Sequence, residues 1–219
     1  YISYATSFTP QIGTDFFGSS FKPLTGEQKE IGIKYQPVGS NKLFTASVFD
    51  ITQENVLTSD PDTINHPFAE VQTGEIRSRG LELEAKVEIT DAINIIASYT
   101  YLDLEITESN DGTEGNTLRE IPTHSGAVWI DYNFHSGSLN GLGIGVGVRA
   151  TSSVYDSNNN NYELSGYALY DLALHYDFDK YRTSLNVSNL FDKETYSCFG
   201  SQCWFGESRN IAVNVSYNW

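Results

Sequence analysis

The stretch Leu81–Ile89 reads LELEAKVEI, and apolar and charged residues alternate along it without a break. Successive side chains of a β-strand point to opposite faces, so this period of two predicts a strand with one dry face and one wet face. The last ten residues, Asn210–Trp219, read NIAVNVSYNW and repeat the pattern, with Tyr217 and Trp219 ending the dry face. Aromatic side chains prefer a membrane–water boundary, so we hypothesise strands that cross a membrane.

Composition narrows the possible functions. The chain has 219 residues, of which 28 are acidic and 13 basic, giving a formal net charge of −15. Such acidity disfavours nucleic-acid binding, which depends on Lys and Arg neutralising phosphates. No apolar run approaches the roughly 20 residues of a transmembrane helix. The first residue is not Met and already lies in a strand pattern, which favours a fragment of a longer protein.

Alternating segments recur along the chain and predict ten antiparallel strands in up-and-down order. They begin near residues 1, 28, 42, 73, 93, 128, 142, 168, 181 and 210. Short and long connections alternate between them, which predicts short turns at one end and long polar loops at the other. A phase change near Phe49 suggests a β-bulge. The region from Asp103 to Glu120 is predicted as an acidic loop.

Aromatic residues at the predicted short-turn end favour a membrane barrel over a soluble β-sandwich. A sandwich would gather its aromatics at mid-strand, in the core. Here they fall at one height and predict a membrane girdle: Tyr35, Tyr132, Phe134, Tyr176, Phe178, Tyr181, Tyr217 and Trp219. The predicted fold is all-β, an antiparallel up-and-down transmembrane β-barrel.

Two cysteines, Cys198 and Cys203, are separated by four residues. They fit a small disulfide-closed loop in an oxidising compartment. A zinc pair is the competing interpretation, but zinc needs about four ligands, and no nearby histidine completes a site. The four histidines, His66, His124, His135 and His175, show neither metal-ligand nor catalytic-triad spacing. We therefore predict no metal site, no catalytic residue and no enzymatic activity.

Gln72–Glu84 reads QTGEIRSRGLELE and resembles the signature of TonB-dependent siderophore receptors. Supporting matches are Phe49–Thr52 (FDIT) with Asn55–Leu57 (NVL), Tyr99–Asp103 (YTYLD), Pro122–His124 (PTH), Asn186–Lys193 (NVSNLFDK), and Gly206 with Arg209. The pair of cysteines followed by Trp204-Phe205-Gly206 is most similar to the ferrichrome-type hydroxamate branch. The resemblance covers almost the whole chain.

The resemblance implies that residues 1–219 are the carboxy-terminal ten strands of a barrel of about 22, with the plug and earlier strands absent. It implies an outer-membrane receptor that takes up ferric siderophores, of hydroxamate type, with long loops extracellular and short turns periplasmic. The implied partners are the ferric siderophore, outer-membrane lipid and the TonB energy-coupling complex, reached through the missing amino-terminal region. No cofactor is expected, because iron enters only within the substrate. A passive pore or an adhesin barrel remains the alternative.

Within this resemblance, we predict ligand contacts at the loop end. Phe199 lies inside the cysteine loop, and Trp204 and Phe205 flank it. Further candidates at the same mouth are Phe16, Phe17, Phe21, Tyr155 and Tyr162. Simple packing of the loops is the alternative for all of them. A group of charged residues is assigned to the lumen side, in ion pairs and plug contacts: Arg77, Arg79, Glu82, Glu84, Arg149, Asp171 and Arg209.

Carboxylates of the acidic region could hold a divalent cation, because hard cations take several oxygen ligands. Their spacing lacks the regular pattern of a calcium loop, so a solvated surface is the preferred interpretation. Acidity also bears on ligand choice. A trianionic catecholate complex would be repelled, whereas a neutral or cationic hydroxamate complex would not.

Overall fold

The structure, a computed structural model, describes residues 1–199 and 202–217, with only the backbone of Phe199. In chain order its strands are β1 (Ile2–Thr9), β2 (Leu24–Tyr35), β3 (Lys42–Ser59), β4 (Glu70–Thr90), β5 (Ile93–Glu108), β6 (His124–Asn133), β7 (Leu142–Thr151), β8 (Val154–Tyr155), β9 (Glu163–Leu164), β10 (Tyr167–Phe178), β11 (Tyr181–Ser188), β12 (Tyr196–Phe199), β13 (Gln202–Phe205) and β14 (Asn210–Tyr217). A 3-10 turn occupies Gly137–Leu139.

Ten of these strands form one open antiparallel sheet in the order β1-β2-β3-β4-β5-β6-β7-β10-β11-β14. The remaining four make two small hairpins, β8 with β9 and β12 with β13. The prediction of ten long strands in up-and-down order is confirmed. In the described part of the chain, no helix is long and apolar enough to cross a membrane.

Short and long connections lie at opposite ends of the sheet, as the sequence predicted. The short ones are residues 36–41, 91–92, 134–141 and 179–180. We name the long ones loop A (10–23), loop B (60–69), loop C (109–123), loop D (152–166, with β8 and β9) and loop E (189–209, with β12 and β13). All five loops therefore stand at one end of the sheet.

Several strands are far longer than a bilayer requires. β3 has 18 residues and β4 has 21, whereas a tilted transmembrane strand needs about 9–11. β5 runs on to Glu108, so Asp103, Glu105 and Glu108 belong to a strand. Their assignment to an acidic loop was wrong, because the strands continue towards the loops beyond the apolar band, the part of the outer face that carries apolar side chains near the short turns.

The alternation of β4 reverses its polarity along the strand. In the lower part, near the short turns, Leu81 and Leu83 lie on the outer face, which the sequence predicts to contact lipid, and Glu82 lies on the inner face. In the upper part the outer face continues with Arg79 and Arg77, because side chains two apart share a face. The lumen-side assignment of these two arginines was therefore wrong.

Acidic neighbours on the same face accompany both arginines. Arg77 pairs with Asp50 of β3 through two hydrogen bonds, and one of the Arg79 guanidinium nitrogens lies 3.9 Å from a carboxylate oxygen of Asp103 on β5. About a third to a half of each side chain is exposed. The upper outer face is consequently a wet, charged surface.

The phase change near Phe49, from which a bulge was predicted, is also explained by this reversal of polarity. Pairing between β3 and β4 is continuous from Lys42 to Glu54, with Phe49 opposite Gly80. The register shifts lie higher, between Glu54 and Val56 and between Val56 and Thr58. The bulge prediction at Phe49 was wrong, because the pattern changes where the strand leaves the apolar band and not where the ladder breaks.

The aromatic residues predicted as a girdle stand at the short-turn end. Tyr181 lies opposite both Phe178 and Tyr217 in the ladder. Ring pairs follow the edge of the sheet: Tyr35 with Phe44, Tyr132 with Phe134, Tyr176 with Phe178 and Tyr181 with Tyr217. Trp219 lies outside the described residues. Contact with lipid remains a prediction for this group.

Candidate ligand-binding surface

Loops A and B meet through an aromatic contact. The Phe16 ring stacks on the His66 imidazole with 3.9 Å between ring centroids, and Phe17 meets the same ring edge-on at 5.2 Å. His66 Nδ1 lies 3.0 Å from the carboxylate of the buried Asp60. Asp15 holds the loop A side of this contact in place, because its carboxylate accepts hydrogen bonds from the backbone N–H groups of Phe17 and Ser19. Two of the predicted contact residues are thus placed by a histidine that the sequence left without a role.

Asparagine side chains join loops C and D. The Asn160 amide donates to the Thr117 carbonyl and accepts from the Thr117 N–H, both at 2.9 Å. Asn158 accepts the N–H of Arg119 with its side chain, and its carbonyl accepts from Asn116. Asn160 has a φ of 54°, a left-handed conformation that asparagine tolerates well. The asparagine run in loop D therefore binds the backbone of its neighbour.

Loop E reaches both C and D. The Ser197 hydroxyl donates to the Glu120 carboxylate of loop C, and β12 lies beside β9 of loop D. At the lower end of loop E, the Asn189 side chain donates to the carbonyls of Lys193 and Glu207. Loops C, D and E therefore form one connected surface.

Loop E is also tied to the inner wall of the sheet. Asp171 accepts the N–H of Asn189 and pairs with Arg149, whose Nε lies 2.8 Å from the carboxylate. Asn189 is only 2% exposed. A buried polar group needs its hydrogen bonds satisfied, and here those bonds set the position from which the disulfide hairpin rises.

The disulfide between Cys198 and Cys203 is present and bridges β12 and β13 directly across the hairpin. On this hairpin the Tyr196 ring packs on Phe205, while Trp204 and Phe205 expose half or more of their surface. The Phe199 side chain lies outside the described part of the structure. The cross-link thus fixes a short ribbon that carries exposed aromatics.

The other predicted contacts are dispersed over two loops. Phe21 packs near Gly13 within loop A, and Tyr155 binds Glu120 of loop C through its backbone carbonyl. Tyr162 is largely exposed. No contact joins the group on loop A to the group on loop E among the described residues. Direct ligand contact remains a prediction for each of them.

Sequence reasoning missed an apolar strip on the inner wall above the membrane band. Three successive cross-strand rows of β3, β4 and β5 build it: Phe49, Gly80 and Leu102; Ile51, Ser78 and Leu104; Gln53, Ile76 and Ile106. Most of these side chains are half-buried, and Ile106 is buried under loop C. The phase change near Phe49 was the signal that could have revealed the strip.

Inner-wall aromatic rings rest on glycines of the neighbouring strand. Phe49 covers Gly80, Trp129 spans Gly145 and Gly147, His175 covers Gly143, and Tyr1 covers Gly32; in each case an added Cβ would overlap the ring. His175 Nε2 also lies 3.0 Å from the Asn133 side-chain oxygen. The wall therefore carries bulky rings seated against it.

The electrostatic character of the loop end is acidic. Loops A to E contain eleven acidic and four basic residues. On loop B, hydrogen bonds from the Asn65 side chain lower the pKa of Asp62, and on loop E the Glu194 carboxylate raises the pKa of Tyr196. No group of three His, Cys, Asp or Glu side chains is arranged to hold a metal ion in the part of the chain that the structure describes.

Comparison with known proteins agrees with the sequence resemblance. Residues 1–190 match the family described as TonB dependent receptor-like, beta-barrel. The ferrichrome outer membrane transporter/phage receptor of Escherichia coli K12 is 37% identical over 99% of this chain, and the ferrioxamine B receptor of Salmonella typhimurium is 35% identical over 99%. This chain spans about 30% of the length of both relatives.

The fold has close structural counterparts. The siderophore receptor PiuA of Acinetobacter baumannii superposes with a TM-score of 0.86 at 25% identity, covering 99% of this chain and 33% of that one. The ferripyoverdine receptor of Pseudomonas aeruginosa, at 24% identity, superposes with a TM-score of 0.85. These relatives are transport receptors and not enzymes. By its sequence and its fold, the chain belongs to the β-barrel family of TonB-dependent receptors of the outer membrane.

Proposed function

We propose that the protein containing this chain is an energy-coupled outer-membrane receptor for ferric siderophores of the hydroxamate type. The observation that carries this proposal is the similarity of 99% of the chain to a ferrichrome transporter and to a ferrioxamine B receptor. In this scheme iron enters only as part of the substrate, and the TonB complex supplies the energy. Loops A and B, which contact each other, and loops C, D and E, which form one connected surface, provide the capture surface.

The acidic loop end supports the hydroxamate assignment. Three hydroxamate groups neutralise ferric iron, whereas three catecholates leave a trianion. A surface with many more carboxylates than basic groups repels the trianion and tolerates a neutral or cationic complex. The aromatic residues on loops A and E suit the apolar parts of such a chelate.

The test is growth under iron limitation. A deletion strain that carries the complete gene should grow when ferrichrome or ferrioxamine B is the iron source, and should stop when the coupling protein TonB is removed. Growth on neither compound, with the receptor present in the outer membrane, would contradict the proposed function. A triscatecholate serves as the comparison substrate and should support little growth through this receptor.

A further inference from the structure

The reversal of polarity along β3, β4 and β5 turns apolar side chains inward above the membrane. At these heights the outward positions carry Asp50, Arg79 and Asp103, which form a charged surface. The inward positions of the same strands carry the strip described above, with Phe49 and Leu102 at its lower edge and Ile76 above them. Outside the bilayer, an apolar wall facing inward and a charged wall facing outward indicate a lined vestibule.

Phe49 has a defined place in this wall. It lies opposite Gly80, and a Cβ on Gly80 would overlap the ring and also approach the Tyr101 carbonyl oxygen at 2.6 Å. The missing side chain lets the ring settle against the neighbouring strand. The aromatic surface is thereby directed to the vestibule and fixed in position, which lowers the ordering cost of binding.

The size of the strip indicates what kind of partner it takes. The three rows are spaced two residues apart along each strand. With ~3.3 Å per residue and ~4.8 Å between strands, they span a surface roughly 13 Å high and roughly 10 Å wide. A stable protein partner needs about 800 Å² on each side. The strip is much smaller, and its dimensions are those of a small-molecule contact.

Charge complementarity narrows the ligand class. The strip itself carries no charged side chain, and the loops above it are acidic. A ligand that suits both the uncharged strip and the acidic loops has a neutral or cationic metal centre and an apolar shell. A ferric trihydroxamate offers these features, because its chelate core is neutral and methylene chains connect its donor groups.

We propose that the inner strip of β3, β4 and β5, with Phe49 as its aromatic contact, binds the methylene shell of a ferric hydroxamate in the vestibule. This inference rests on the proposed function and names the surface that would select among hydroxamates. Leu102, Ile51 and Leu104 complete the contact around Phe49.

The test compares two neighbouring residues on opposite sides of β3 in the complete receptor. Phe49→Ala removes the inward ring, whereas Val48→Ala removes apolar surface from the lipid-facing side. Binding of ferrichrome and of ferrioxamine B is measured on the purified receptor by quenching of intrinsic fluorescence. Phe49→Ala should weaken the affinity roughly tenfold, as expected for loss of a buried aromatic contact, and Val48→Ala should leave it within about twofold.

The outcomes separate the two proposals. If the wild-type receptor binds neither compound, the proposed function is overturned. If the wild type binds and Phe49→Ala binds equally well, only the strip inference is overturned, and a lowered melting temperature in that variant would assign Phe49 to packing. Phe49→Leu keeps apolar volume and protects assembly, and it should bind with intermediate affinity. If Phe49→Leu and Phe49→Ala are each folded and each bind with wild-type affinity, the inference is likewise contradicted.

Discussion

The lower and upper parts of β4 follow the same alternation with opposite polarity. Below, Leu83 faces lipid and Glu84 faces inward; above, Arg79 faces outward and Ile76 faces inward. The period of two establishes only that the segment is a strand. Which side is dry depends on what surrounds the strand at that height, and the change marks where the strand leaves the bilayer.

The two parts also differ in what stabilises them. The lower part depends on lipid around an apolar face, with a continuous ladder of backbone hydrogen bonds. The upper part uses ion pairs such as Arg77 with Asp50 and side-chain bonds to backbone such as Asn160 with Thr117. The effects of substitutions in the two parts should therefore differ in magnitude, in how far they spread through the structure and in sensitivity to salt.

The largest effect is expected in the lower part. Leu83→Arg places a guanidinium in the apolar band and should lower the free energy of unfolding by ~2–4 kcal/mol. Urea unfolding of the complete receptor in lipid vesicles measures it. Glu84→Arg introduces the same group on the inner side and should change the value by about 0.5 kcal/mol or less. Equal losses in the two variants would contradict the assignment of faces.

A smaller and local effect is expected among the loops. Asn160→Gly keeps the left-handed backbone conformation but removes the amide that binds Thr117. Losing hydrogen bonds worth about 1 kcal/mol should raise the exchange rate of the Thr117 amide by roughly fivefold to tenfold, with global stability unchanged.

The matched control for this loop is Asn161→Gly, which alters the next residue in the same asparagine run. Hydrogen exchange followed by mass spectrometry compares the two variants. If Asn161→Gly loosens loop C as much as Asn160→Gly does, composition rather than the specific contact joins loops C and D.

The smallest effect is expected at the upper outer face. Asp50→Asn breaks the pair with Arg77, whose partners are each more than a third exposed. Exposed pairs of this kind contribute little to stability, and salt screens them. A double-mutant cycle with Arg77→Gln should give a small favourable coupling at low salt that fades at 1 M salt. A coupling that does not respond to salt would place this pair inside the bilayer instead.

Strand number, order and polarity of the two ends could be predicted from sequence, because alternation and turn residues are local signals. The extent of the strands could not. Asp103 and Glu108 look like loop residues until the strand is known to continue outside the bilayer. Arg77 and Arg79 were assigned to the wrong face for the same reason, since the prediction assumed that charge always faces the lumen.

The loop surface was harder to predict. The contact of His66 with Phe16 joins residues 50 positions apart, and Asn160 binds Thr117 across 43 positions. No periodic pattern in the sequence predicts contacts between residues so far apart. The disulfide was predictable, because two cysteines so close in sequence have few other partners. The ligand-contact roles of Trp204, Phe205 and the aromatics of loops A and D stay predictions.

The glycines beneath the inner-wall rings determine how far those rings project from the wall. A ring lying against the wall occupies little more than its own thickness, about 3.5 Å, instead of the full reach of the side chain. Adding one methyl group at Gly143 or Gly147 would push His175 or Trp129 away from the wall and towards the lumen. These glycines thus limit how far the inner-wall rings project, and a single methyl group would narrow the space beside the wall without touching Phe49 or its neighbours in the strip.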